Sequence, residues 1–285
     1  ILNVSLLSFL FIILGYSTYI TVFIRANAHP PMNENDPSTT ERLVSYLNRE
    51  QYGSAPLLQR RWDNEPEKRA IAQQYSSDWD YFLRYQTYHM YIRYFGWNYV
   101  GSEGDWKEAG VDWKKLYGIP LFIGLFGLVY HWRKDAKMAL VCTALFLIMG
   151  VVLVLYFNMQ NPQPRERDYF YVGSFYVFSL WIGVGLVGLI DTLKDEFFKG
   201  DAKPVVGYSV LALAFLFVPG NMARVNFHEG DRRGNYVAWD YSYNLLQSCE
   251  PDAILFTNGD NDTFPLWYLQ DVEGVRRDVR IAYLS

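Results

Sequence analysis

Residues 138–157 read MALVCTALFLIMGVVLVLYF and contain no charged side chain. A helix of about 20 residues extends roughly 30 Å, which is the thickness of the hydrocarbon core of a bilayer. The uncharged stretch continues as far as Pro164. A helix in a soluble protein normally keeps one polar face, and this segment has none. The segment therefore predicts a membrane-spanning helix.

Four further stretches of comparable length lack charged side chains: residues 1–24, 116–132, 169–190 and 204–223. Stretch 116–132 is the shortest, and Pro120 lies near its start. A signal peptide is the alternative for the first stretch, because Ala26-Asn27-Ala28 offers a cleavage pattern. Its apolar region is too long, however, and no basic segment precedes it. We predict five spans in a helical membrane domain over residues 1–223.

The composition of the 285 residues narrows the function classes. The chain has 26 basic and 30 acidic residues, a formal net charge of −4, so no basic surplus favours nucleic acid as a partner. Cys142 lies in a span and Cys249 in the tail, and the four histidines are scattered. The positions of these residues match no disulfide, redox or metal-ligand pattern. We therefore expect no metal, and the sequence indicates no cofactor. Because the chain starts at Ile1 and stops within an apolar run, we expect a fragment of a longer protein.

The basic residues of two short loops predict the orientation. Loop 133–137 carries three basic residues, and loop 191–204 carries Lys194, Lys199 and Lys203. Both loops lie on the same side if the five spans alternate, and the positive-inside rule makes that side the cytoplasm. Loop 25–115 and the tail 224–285 then face outward.

The first outward loop contains acidic and basic residues close to the membrane. Glu34 or Asp36 is a candidate general base, and Arg25 or Arg49 a candidate phosphate clamp. The spacing itself favours turn and capping chemistry with a surface ion pair. Residues 38–41 (STTE) predict the cap of a following helix.

Residues 81–99 place aromatic side chains at helical spacing. One interpretation is an amphipathic helix in the membrane interface, where Tyr and Trp keep one wet edge. The other is a platform for a stacked sugar, with Tyr hydroxyls and Arg84 or Arg93 binding a polar ligand. The interfacial helix is the default expectation.

Loop 158–168 joins two spans and holds Arg165 and Arg167, with aromatic residues on both sides. Guanidinium groups at membrane level suit a lipid phosphate, because they chelate its oxygens where little water competes. The alternative is anchoring of a span end among head groups, with Glu166 and Asp168 neutralising the two arginines. The residues alone leave both interpretations open.

The tail changes character after residue 224. Its pattern predicts, in order, a helix, a strand, a helix and a strand: 235–247, 253–257, 264–271 and 279–284. This order indicates the start of a parallel α/β unit. Loop 258–263 follows the first strand at its carboxyl end, where open α/β sheets bind ligands.

Four polar residues of that loop are candidates for binding an acceptor or partner: Asn258, Asp260, Asn261 and Asp262. Asp260 and Asp262 also suggest a cation, but the Glu that completes a calcium loop is missing. A turn in which Asp262 or Thr263 caps the helix is preferred to a metal site.

Four segments together resemble one family: YLNREQYG at 46–53, MYIRYFGWN at 90–98, PRERDYF at 164–170 and FTNGDNDTFPLWY at 256–268. Over nearly its whole length the chain resembles large bacterial multi-pass membrane proteins related to the eukaryotic transmembrane protein O-mannosyltransferase. The resemblance implies a mainly α fold of the C-type glycosyltransferase kind, followed by an outward α/β domain. It also implies the bacterial inner membrane, with loop 25–115 and the tail in the periplasm.

The resemblance further implies an enzyme that takes a sugar, mannose in our hypothesis, from a polyprenyl-phosphate donor to Ser or Thr of an exported protein. The catalytic acid of such enzymes lies in the first outward loop of the full protein. No residue here matches it, so we expect it outside this chain and keep Glu34 and Asp36 as candidate substitutes. The candidate ligands of the donor phosphate are Arg165, Arg167 and Arg49.

The competing hypothesis is a non-catalytic membrane scaffold or assembly subunit that binds a partner through its outer tail. Both hypotheses predict the same spans, and membrane lipids surround them in either case. They differ in whether Arg165 and Arg167 converge with a carboxylate on one pocket. A transporter is less favoured, because the spans are almost free of ionisable residues.

Overall fold

The computed structural model describes residues 2–30, 33–50, 58–61, 66–196 and 202–284. The described chain is mainly helical and divides into two compact units, Ile1–Val218 and Pro219–Ser285. Some sequence features lie outside the described residues: positions 51–53 of the first family segment, Lys199, and the side chain of Lys203.

The α-helices of the first unit, in chain order, are α1 (Leu2–Ser17), α2 (Ile20–Asn27), α3 (Thr40–Asn48), α4 (Pro66–Ala72), α5 (Asp78–Tyr81), α6 (Arg93–Tyr99), α7 (Trp113–Leu116), α8 (Ile119–Lys134), α9 (Ala136–Leu147), α10 (Leu153–Phe157), α11 (Val172–Glu196) and α12 (Ala202–Phe215). Wider π-helical turns continue three of these helices, at Phe82–Ile92, Ile148–Val152 and Leu216–Gly220, and a 3₁₀ turn at Asp168–Tyr171 leads into α11.

Four helical stretches of the described chain are long and apolar enough to cross a membrane: Asn3–Asn27, Ala136–Phe157, Asp168–Lys194 and Pro204–Gly230. They correspond to four of the five predicted spans. The prediction of a mainly helical chain with membrane-spanning helices is confirmed to this extent.

The remaining predicted span, 116–132, corresponds to α8, which is not among the four. Its 16 residues extend about 24 Å, less than the hydrocarbon thickness. The helix begins only at Ile119, because Tyr117 and Gly118 adopt left-handed conformations with φ of 55° and 65°. Pro120 then occupies the first turn, where a missing N–H costs nothing. The described chain thus has four candidate spans where the sequence predicted five.

Helix α8 packs along α11 through glycines. A Cβ on Gly127 would lie 1.8 Å from the carbonyl oxygen of Trp181, and one on Gly185 would lie 2.2 Å from that of Ile123. The two backbones can approach this closely only because side chains are absent at these positions. Small residues of this kind are typical of helix interfaces in membranes.

The ends of α8 and α11 are joined by a hydrogen bond from the Tyr130 hydroxyl to Asp191 Oδ2 at 2.6 Å. The two helices therefore end side by side. The predicted loops 133–137 and 191–204 begin within the last turns of these helices and so at the same end of the helix pair, as the alternation of spans predicts. The assignment of this end to the cytoplasm stays a prediction.

The second unit contains α13 (Asn221–Gly230), α14 (Val237–Gln247), β1 (Ile254–Thr257), α15 (Asp260–Asp271) and β2 (Arg280–Tyr283). The two strands pair in parallel, with Ile254 opposite Arg280, and α15 connects them. The core of this unit is formed by Leu246, Leu266, Leu269 and Val279. The predicted strand, helix and parallel strand are confirmed as a small strand pair with one crossover helix.

Candidate functional site

The aromatic face predicted at 81–99 exists, and a large part of it packs against protein, although Tyr88 stays exposed. The hydroxyl of Tyr81 donates to the carbonyl of Met159 at 3.0 Å, and that of Tyr85 donates to the carbonyl of Gln160 at 3.1 Å. Both tyrosines are buried. These two tyrosines therefore hold the first residues of loop 158–168 in place, and their hydroxyls are engaged by the protein.

A partly buried ion pair joins this helical segment to the same loop. Arg93 Nη2 lies 2.7 Å from Glu166 Oε2, which also accepts the hydroxyl of Tyr94 at 2.5 Å. Glu166 Oε1 accepts the backbone N–H of Glu108, again at 2.5 Å. The guanidinium of Arg93 lies 4.7 Å from the ring centre of Trp97. The carboxylate of Glu166 is thus surrounded by donors from the protein itself.

The pKa of Glu166 follows from these contacts. Burial acts to raise it, but the hydrogen bonds from Tyr94, Glu108 and Arg93, together with the arginine charge, outweigh burial and lower it. Glu166 is therefore ionised at neutral pH and fully engaged by Arg93. The interpretation in which it neutralises Arg165 and Arg167 is wrong.

The predicted phosphate ligands have different surroundings. Arg167 donates from Nε to Gln163 Oε1 at 3.2 Å and from Nη1 to the hydroxyl of Tyr169 at 2.8 Å. Arg165 is exposed and has no polar partner among the described residues. Arg49 ends α3 in a left-handed conformation with φ of 58°.

A polar cluster around Arg60 was not found by sequence reasoning. Arg60 is 6% exposed; its Nη1 donates to Gln86 Oε1 at 2.6 Å and its Nη2 to the carbonyl of Leu155 at 2.9 Å. Gln86 Nε2 donates to Asn158 Oδ1 at 2.9 Å. Burial lowers the pKa of Arg60, although the negative charge of Asp78 acts to raise it. The one signal in the sequence was Gln86, a polar residue on an otherwise aromatic face.

Next to this cluster lies a cavity of about 630 Å³, which we call the charged cavity. Arg84 is largely exposed and lies 3.4 Å from Asp80, with its guanidinium 5.4 Å from the ring centre of Tyr75. Tyr88 is 69% exposed. The walls consist of Tyr75, Leu83, Arg84, Tyr85, Tyr88, His89, Glu108 and Asn161.

A second cavity of about 690 Å³, the apolar cavity, shares Tyr88 and His89 with the first. Its walls are mainly apolar and include Ile92, Phe95, Val100, Val111, Trp113 and Leu121, with Arg93 as the charged residue among them. Burial, followed by the charge of Arg93, lowers the pKa of His89, so the shared wall is neutral at pH 7. A charged cavity and an apolar cavity therefore adjoin in the first unit.

The candidate bases of the first loop have different surroundings. Asp36 forms an ion pair with Arg42 and accepts from Asn33 Nδ2 at 2.8 Å, which holds the turn before α3. Thr39 caps α3 by accepting the N–H of Arg42 at 3.3 Å, so the capping prediction is confirmed. Glu34 lines a separate cavity. Neither acid lines the charged cavity.

The polar residues of the tail lie together on an exposed edge, but not in a loop. Helix α15 begins at Asp260, so Asp260, Asn261 and Asp262 form its first turn and only Asn258 precedes it. Gly259, with φ of 109°, occupies the N-cap position, where the sequence predicted capping by Asp262 or Thr263. Acidic side chains stabilise a helix N-terminus through its dipole, which explains the earlier start.

Two hydroxyl groups make side-chain contacts near this edge. The hydroxyl of Tyr283 donates to Asp260 Oδ1 at 2.9 Å. Thr263 is buried, and its hydroxyl contacts that of Thr257 at 2.8 Å. Within the described residues, no three His, Cys, Asp or Glu side chains are grouped as a metal ion requires.

Comparison with known proteins gives one match, which lies within the second unit. Residues 238–285 match the family model described as TMEM260-associated domain 2. TMEM260 is a eukaryotic transmembrane protein, so the match loosely fits the suspected relation; of the four sequence segments, only 256–268 lies within the matched residues. The matched residues include α14 except its first residue, both strands and α15. No curated protein and no solved structure matches the chain.

Proposed function

We propose that this chain is part of a membrane glycosyltransferase that moves a sugar, mannose in our hypothesis, from a polyprenyl-phosphate donor to Ser or Thr of an exported protein. The observation that carries the proposal is the adjoining pair of a charged and an apolar cavity. A lipid-linked sugar has the same two parts, a polar head and a hydrocarbon chain. The proposed location is a bacterial inner membrane, with loop 25–115 and the tail in the periplasm.

The charged cavity offers contacts for the polar head of such a donor. The exposed ring of Tyr88 provides a face on which a sugar can stack. Arg84 provides a guanidinium for the phosphate, since charge-assisted hydrogen bonds to phosphate are among the strongest in proteins. Arg84 thus joins Arg165, Arg167 and Arg49 as a candidate phosphate ligand, and the catalytic acid is proposed to lie outside this chain.

The apolar cavity offers a site for the first part of the hydrocarbon chain. Phe95, Val111 and Leu121 line it, and Leu121 belongs to the first turn of the apolar helix α8. Each buried methylene group contributes about 0.8 kcal/mol, so a short hydrocarbon segment contributes strongly to donor affinity.

The test is sugar transfer by the full-length protein in detergent, from radiolabelled polyprenyl-phosphate mannose to an acceptor peptide. We expect Arg84→Ala to lower transfer by roughly a hundredfold, because it removes a charged contact to the phosphate. Arg133→Ala, at the exposed last turn of α8, is the matched control and is expected to transfer as wild type. Normal transfer by Arg84→Ala would remove the charged cavity from donor binding.

The double variant Arg165→Ala/Arg167→Ala tests the phosphate ligands predicted from the sequence. We expect it also to lose transfer while the protein still inserts into the membrane. If the double variant loses transfer and Arg84→Ala does not, the loop holds the phosphate instead of the cavity. Unchanged donor turnover would exclude both loop arginines.

The second candidate function is a non-catalytic scaffold. It is favoured by the contacts of loop 158–168, because Glu166 is engaged by Arg93 and does not converge with Arg165 and Arg167 on a pocket. Failure of the folded wild-type protein to transfer any of several lipid-linked sugars would support the scaffold.

Asp260 tests the proposed acceptor edge of the second unit. Under the transferase proposal, Asp260→Ala raises the KM for the acceptor peptide and leaves donor hydrolysis unchanged. Tyr283→Phe is the control, because it removes the same hydrogen bond and keeps the carboxylate. An effect of Asp260→Ala on donor hydrolysis alone would refute this assignment.

A further inference from the structure

A third cavity, of about 480 Å³, lies at the end of the first candidate span. We call it the helix-end cavity. It is formed by the last turns of α2, the turn that follows, and Tyr46 of α3. Its volume lies within the range of small-molecule sites. The lining residues are Thr21, Val22, Arg25, Ala26, Ala28, Pro30, Asn33, Glu34, Pro37 and Tyr46.

Two opposite charges line this cavity without forming an ion pair. Arg25 and Glu34 are both exposed, and neither has a hydrogen-bond or ion-pair partner among the described residues. The neighbouring Asp36, in contrast, is paired with Arg42. The cavity therefore presents one unneutralised cation and one unneutralised anion to a ligand.

The position of the cavity indicates the kind of ligand. Arg25 lies in the last turn of α2, at the end of the apolar stretch Asn3–Asn27. None of the most apolar part of that stretch is buried by the protein, so lipids would surround it in a membrane. An arginine at the end of such a helix reaches the level of the head groups. The head groups of phospholipids lie at this level, and each carries a phosphate that a guanidinium can bind.

We propose that the helix-end cavity binds the phosphoethanolamine head group of a phospholipid. The guanidinium of Arg25 binds the phosphate through charge-assisted hydrogen bonds, and the carboxylate of Glu34 accepts hydrogen bonds from the ammonium group. A choline head group has no N–H to donate, and a glycerol head group has no positive charge. Glu34 therefore selects ethanolamine. This inference does not depend on the proposed sugar transfer.

The test is native mass spectrometry of the full-length protein titrated with single phospholipids in detergent. We expect phosphatidylethanolamine to bind about tenfold more tightly than phosphatidylcholine or phosphatidylglycerol, because only it offers both a phosphate to Arg25 and ammonium N–H donors to Glu34. Arg25→Gln should weaken phosphatidylethanolamine binding by about tenfold. Glu34→Gln should abolish the preference over phosphatidylglycerol.

Two variants serve as controls. Arg133→Gln removes a cation from the last turn of another apolar helix, and Glu41→Gln removes an exposed acid of α3 that does not line the cavity. Both should bind lipids as wild type. Equal affinity of the wild type for the three lipids, or an unchanged preference in both cavity variants, would overturn the proposal. If soluble phosphoethanolamine binds as tightly as the lipid, the assignment of the ligand to a membrane phospholipid is wrong.

Discussion

Gly185→Ala is expected to destabilise the first unit by about 3 kcal/mol, because the added methyl group forces α8 and α11 apart. The new Cβ would lie 2.2 Å from the carbonyl oxygen of Ile123, which belongs to the backbone of α8 and has no rotamer through which to escape. Thermal unfolding in one detergent, followed by intrinsic fluorescence, measures the loss.

Gly183→Ala is the matched control in the same helix, two residues away. A Cβ at Gly183 meets nothing within 4 Å. Alanine also has a higher helix propensity than glycine, so this variant is expected to unfold at the wild-type temperature or slightly above it. Equal destabilisation by the two substitutions would show that the close approach of α8 and α11 is not what requires Gly185.

Glu166→Ala is expected to destabilise the protein by about 3 kcal/mol or more. It leaves the charge of Arg93, a residue that is 9% exposed, without its carboxylate partner, and breaking a buried pair from one side is costly. The double variant Glu166→Ala/Arg93→Met removes both charges and should lose less than the sum of the single variants. Asp168→Ala, a nearby carboxylate with no polar partner among the described residues, is the control and should lose under about 0.5 kcal/mol.

The same contacts predict a dependence on pH. The pKa of Glu166 is lowered from its usual value of 4.5, so its contribution to stability is fully present above about pH 4.5. The contribution is lost as the pH falls through the lowered pKa. Glu166→Gln should therefore flatten the acid limb of a plot of stability against pH. If Glu166→Gln loses stability at low pH as steeply as the wild type, the prediction is wrong.

The membrane helices and the small α/β unit were predictable from the sequence, because both depend on neighbouring residues. An uncharged run of about 20 residues has few alternatives to a membrane-spanning helix. The alternation of apolar and polar segments after residue 224 likewise predicted the strands and their crossover helix. The predicted boundaries of two helices were wrong. Helix α15 begins earlier than predicted, directly after Gly259, and α8 is shorter because Tyr117 and Gly118 are left-handed.

The candidate site was not predictable in this way. One interpretation of the sequence paired Glu166 with the two arginines beside it. Its partners in the structure, Arg93 and Glu108, lie 73 and 58 residues away in the chain. Arg60 was not singled out at all, because its partners Gln86 and Leu155 come from two other helices. Hydropathy is a property of contiguous residues and can be read along the chain. Whether a charge is buried, paired or open to a ligand depends on which distant segments pack against it, and that is settled only when the chain has folded.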